Sequence, residues 1–157
     1  MSLRIKEFIT IGFLIAFIIF VSTRDNYKNV SVNEIFNAVE GKAGIENMDC
    51  FDGSALKRDF GININDYDGV VYYGHETVME TETLLIIKLS DQSQGNDIID
   101  TINSQRETNM ELFKSYAPDQ YELLNNSIVE QKGDYILYTV SDNAKAIEMA
   151  FSKCIKG

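Results

Sequence analysis

Sixteen consecutive residues near the start of the chain, Phe8 to Thr23, carry no charge, and most of them are large and apolar. Nothing else in the sequence constrains the fold as strongly, because a run of this kind needs lipid or a deep core around it. Arg4 and Lys6 come before it, and Arg24 and Asp25 end it. A charged start followed by a short apolar core is the outline of an export signal. Val21-Ser22-Thr23 is a poor cleavage site, so an uncleaved anchor is expected, with secretion after cleavage as the alternative. Sixteen helical residues span about 24 Å against a hydrocarbon core of about 30 Å. Snorkelling of Arg4, Lys6 and Arg24 would close the gap. Positive charge ahead of the run places the N-terminus inside and the remainder outside the cell membrane, in a single pass. The expected organisation is an anchor over 1–23, a linker over 24–30 and an extracytoplasmic domain over 31–157.

From Arg24 onward there are 12 basic and 23 acidic residues, a balance of −11. A domain of that sign has no basic face for phosphates, so nucleic acid is excluded as a partner. Anionic membrane surfaces and wall polymers are disfavoured for the same reason.

Within the domain, "VSVNEI" reads as a helix start, with Ser31 and Glu34 as a capping box and Val30 and Ile35 as a hydrophobic staple. That helix is expected to stop at Gly41. A short helix is predicted over Ser54–Phe60. Val70–Tyr73 and Thr83–Leu89 read as a first hairpin, and the unbroken apolar run Leu84–Ile87 as a strand buried on both faces. A long helix follows over Gly95–Ser115, with Ile99, Ile102, Met110 and Phe113 on its inner stripe. Gly133-Asp134 suits a type II′ turn joining Ile128–Gln131 to Tyr135–Val140. A last helix carries Ile147, Phe151, Cys154 and Ile155 on one face. The fold class is α+β: after the anchor helix, a four-stranded, mostly antiparallel sheet of two hairpins, with helices packed on one face.

"SYAPDQY" holds the single proline. With Pro118 at the first helical position, Ala117 becomes the cap, and Tyr116 and Tyr121 take the two staple positions. Packing between those two rings accounts for the stretch. The competing reading makes Tyr116 and Tyr121, with Tyr135, an aromatic platform for a partner, and these three are the candidate binding surface.

Four phrases in order, "FGININDYDGVVYYG", "LLIIKLSD", "SYAPDQYELL" and "KGDYILYTVSD", behind an apolar segment, resemble the bacterial family described as domain of unknown function 4358. The resemblance covers about Val32 to Phe151. It implies a membrane-anchored or lipoprotein-type surface protein, mainly of Gram-positive anaerobes, and supplies no catalytic residues. This chain lacks a cysteine at the end of its apolar segment, where the lipoprotein-type members carry one; its first is Cys50.

No catalytic, cofactor or metal residues are assigned. The lone histidine, His75, reads as a solvated hairpin tip, although Glu76 and Glu80 are near it in sequence. "NINDYDG" fails as a calcium loop, because the register that sets Asp68-Gly69 correctly puts Ile64 and His75 where oxygen ligands belong. No phosphate-binding or dinucleotide glycine motif is present. Cys50 and Cys154 could close a loop worth about 4–5 kcal/mol. Free thiols are expected instead, since Cys154 falls on an apolar helix face. The leading reading is a non-catalytic module that binds a protein or envelope component. A small carboxylate-dependent hydrolase acting on an envelope substrate is the alternative.

Overall fold

The computed structural model describes residues 11–15 and 27–157. The anchor expected over Phe8–Thr23 therefore falls outside the described residues except for 11–15, an exposed helical piece. No helix among the described residues is long and apolar enough to cross a membrane.

Helix α1, Val32–Ala43, starts as its sequence requires. The Ser31 hydroxyl accepts the Glu34 N–H at 3.2 Å, and the Glu34 carboxylate accepts the Ser31 N–H at 2.9 Å. It runs past Gly41 to a left-handed Gly44, because one more turn buries Ala43. Strand β1 is only Asp49–Cys50. Asp52 then caps α2, Gly53–Phe60, accepting from the N–H groups of Ser54 and Ala55. A 3-10 turn at Ile64–Asp66 leads into the hairpin of β2, Gly69–Gly74, and β3, Thr83–Lys88. Helices α3, Gly95–Phe113, and α4, Pro118–Asn125, follow. The second hairpin joins β4, Ile128–Lys132, to β5, Tyr135–Val140, and α5 spans Ala144–Ile155. In the β4–β5 turn only Gly133 has positive φ, at 59°, as a type II′ turn demands.

The fold is mixed α and β, and two features differ from the sequence-based expectation. The sheet has five antiparallel strands, not four, in the order β1-β2-β3-β5-β4. The added strand, β1, pairs Asp49 with Gly74 and Cys50 with Tyr73. Helices cover both faces, not one. Leu85, Ile87, Ile136 and Tyr138 point toward α2, α3 and α4. Leu84, Ile86, Tyr135 and Leu137 point toward α1 and α5. The cause lies in the run Leu84–Ile87: all four side chains are fully buried, and consecutive residues of a strand face opposite ways, so each face needs its own cover.

The chain comes into the domain at one end of the sheet. Tyr27 bridges to Lys156, the Lys28 N–H donates to the Ile155 carbonyl at 2.8 Å, and the Val30 N–H donates to the Tyr135 hydroxyl at 2.8 Å. Lys88 and Tyr135, paired in register, mark this end. Thr83 and Val140, also paired, mark the opposite end, where the loop 75–82 joins β2 to β3. Cys50 and Cys154 are both free thiols.

Candidate functional site

Strand alternation places Tyr72, Leu85 and Tyr138 side by side across β2, β3 and β5, all facing α2 and α3. The two tyrosines floor a half-open cleft of about 860 Å³ at the end of the sheet away from Tyr27. Its walls are the end of α2 with Arg58, Asp59 and Phe60, the loop 75–82, and the last turns of α3 with Leu112 and Phe113. Phe60 meets both floor rings at near right angles, with centroids 5.7 Å from Tyr72 and 6.0 Å from Tyr138.

The Tyr72 hydroxyl donates to Asp59 Oδ2 at 2.9 Å. Asp59 also accepts from Arg58, at 2.7 Å through Nε and 3.1 Å through Nη2, so both of its oxygens are engaged. Burial first, and the bond to Asp59 second, push the Tyr72 phenol far above its ordinary value. Burial raises the Tyr138 phenol as well, opposed by the charge of Arg106. Both phenols are therefore neutral donors at physiological pH. Tyr138 is 3% exposed, lines the cleft, and makes no hydrogen bond through its hydroxyl to any described residue.

His75 is not a solvated tip. Its side chain is 9% exposed, with Nδ1 2.9 Å from Glu80 Oε2 and Nε2 3.3 Å from Glu82 Oε2. The loop is pinned a second time where the Thr81 N–H and hydroxyl both donate to Gln120 Oε1, at 2.9 and 2.8 Å. Between those pins Val78 is 85% and Met79 53% exposed. Across the cleft Leu112 and Tyr116 are exposed too. Of the six exposed large apolar residues described between 27 and 157, three, Val78, Leu112 and Tyr116, line this one cleft, a concentration ordinary solvated surface does not need. Among the described residues no group of three or more His, Cys, Asp or Glu is placed to hold a metal ion.

The structure separates the three tyrosines of the candidate binding surface. Pro118 does open α4 with Ala117 as its cap. Tyr116, however, tilts against Phe113 at 5.3 Å and lines the cleft, whereas Tyr121 packs half-buried on the core. No ring contact joins the two among the described residues. Tyr135 is 1% exposed on the opposite face of the sheet, where its hydroxyl bonds to Val30. Replacing Tyr121 with alanine should lower stability by about 1–3 kcal/mol, and replacing Tyr116 by less than about 1. Denaturant midpoints would decide, and an equal loss at both sites would mean that Tyr116 is a structural staple after all.

Sequence reading missed Asp59, Tyr72 and Tyr138, and set His75 on a solvated hairpin tip. A usable signal was the apolar pair Val78-Met79 inside the otherwise polar loop "HETVMETE". No curated protein and no solved structure matches the chain. A family model does match, over residues 42–141, a span that holds every wall of the cleft, and the chain belongs to that family, described as Domain of unknown function (DUF4358).

Proposed function

We propose that this chain is a membrane-tethered extracytoplasmic module that binds a protein or envelope component through the cleft, without chemistry of its own. The observation that carries this reading is the apolar rim of Val78, Leu112 and Tyr116, left exposed around an aromatic floor. Exposed apolar groups gathered at one concave site mark contact surfaces. A carboxylate-dependent hydrolase asks for two carboxyl groups open to substrate. Asp59, the acid beside the floor, spends both oxygens on Arg58 and Tyr72, and the loop acids Glu80 and Glu82 each turn an oxygen to His75. The uncharged run at Phe8–Thr23 supports the tether.

A photo-crosslinking amino acid placed at Leu112 or Met149 in the native cell tests both halves. Leu112 should yield one dominant adduct that Met149, exposed on α5, does not. The adduct should stay with membranes through alkaline carbonate. Equal labelling at both positions would sink the cleft as the site. A mature chain beginning at or after Arg24 would sink the tether.

A further inference from the structure

We infer that the cleft accepts an extended basic segment of a partner protein, with apolar side chains on the rim, a lysine or arginine facing the acidic wall, and a main-chain carbonyl accepting from the Tyr138 hydroxyl. The inference rests on the cleft being the binding site and names what enters it.

Three independent features converge. The first is charge. Asp59, Glu76, Glu80 and Glu82 line the cleft against Arg58 and His75, so a cation is favoured and an anionic segment repelled. Arg58 already neutralises Asp59, so the attraction comes from the loop glutamates; Glu80 and Glu82 meet His75 through one oxygen each and are 51% and 39% exposed. The second is the rim. Aliphatic Val78 and Leu112 gain most from apolar side chains. A sugar would want open ring faces, and here Phe60 and Phe51 already crowd the floor ring of Tyr72. The third is the Tyr138 hydroxyl. Tyr138 lines the cleft, is 3% exposed and bonds through its hydroxyl to no described residue, so its donor is available once a ligand arrives. A peptide carbonyl is the matching acceptor, and an extended strand presents carbonyls and side chains together.

The test uses the full chain in nanodiscs and a fluorescein-labelled peptide, Ser-Leu-Leu-Lys-Phe-Val-Ser, read by anisotropy. Saturable binding is expected, about tenfold or more weaker when the lysine is replaced by glutamate. The substitution Tyr138→Phe should weaken binding about three- to tenfold without lowering the unfolding midpoint, because the hydroxyl has no partner to lose. Leu112→Asp should abolish binding, and Met149→Asp should leave it intact. Failure of the lysine peptide to saturate, equal affinity for the glutamate peptide, or preference for a glucosamine tetrasaccharide would overturn the inference. If crosslinks at Leu112 persist in that case, the ligand class is wrong and the cleft remains the binding site.

Discussion

Replacing Phe151 with alanine is expected to destabilise the domain by about 3–5 kcal/mol, a large share of a typical total of about 5–15. Phe151 is fully buried at the middle of α5, flanked by Ile147 and Ile155 one turn on either side. The three face Ile35 and Val39 of α1 and Leu84, Ile86 and Leu137 of the sheet, all fully buried. Those partners are held by strand pairing on one side and a capped helix on the other, so the cavity left by the ring would not collapse. The loss should appear as a lower denaturant midpoint with an unchanged slope. Met149→Ala, on the exposed side of the same helix, should stay within about 0.5 kcal/mol. A cost below about 1 kcal/mol for Phe151→Ala would mean that α5 is not part of the cooperative core.

The second large effect is electrostatic and depends on pH. Lys132 closes the β4 end of the sheet onto α5, donating to Glu130 at 2.9 Å, to Glu148 at 2.7 Å, and to the Ser152 hydroxyl. The other oxygen of Glu148 accepts from Lys145 at 2.6 Å. The bond from Lys132, then that from Lys145, lower the Glu148 carboxyl from 4.5 to about 2 against a smaller opposing effect of burial. A carboxyl whose folded value lies below its unfolded one adds stability that is complete above the unfolded value and disappears as pH falls through the folded one. Glu148→Gln should therefore cost about 1–2 kcal/mol at pH 7, allowing for solvent screening, with the gap narrowing from pH 4.5 toward 2. Thermal melts of both proteins across that range would show it. A difference that is flat with pH would assign the effect to packing of the side chain instead of its charge.

Local chemistry explains which parts of the fold could be read from the sequence. The Ser31–Glu34 box, Pro118 opening α4 and the Gly133 turn are each specified within a few residues, and each was legible. Strand β1 was not. Two residues carry no periodicity, and they become a strand only because Gly74 and Tyr73, more than twenty residues away, offer an edge. The double-sided cover was implicit in Leu84–Ile87, but the choice of helices for each face depends on chain crossings that no local pattern encodes. The cleft was the least legible part. Its floor is a row of residues from three strands, and its histidine looked solvated because the two glutamates that hold it become neighbours only when the loop closes.

The placement of Tyr135 also has a mechanical consequence. A pull exerted between the loop 75–82 and Tyr27 would run along the strand axes. The hydrogen bonds between β3 and β5 lie across that direction, so they would be loaded in shear, sharing the force at once instead of parting one by one. Part of the force would pass into α5 through the Tyr27–Lys156 bridge and the Lys28–Ile155 bond, and part would reach β5 through the Tyr135 hydroxyl, which both donates to the Val30 carbonyl and accepts the Val30 N–H. A tyrosine on the far side of the sheet from the cleft thus serves as one rivet through which tension on the incoming chain is handed to a strand paired along both of its edges.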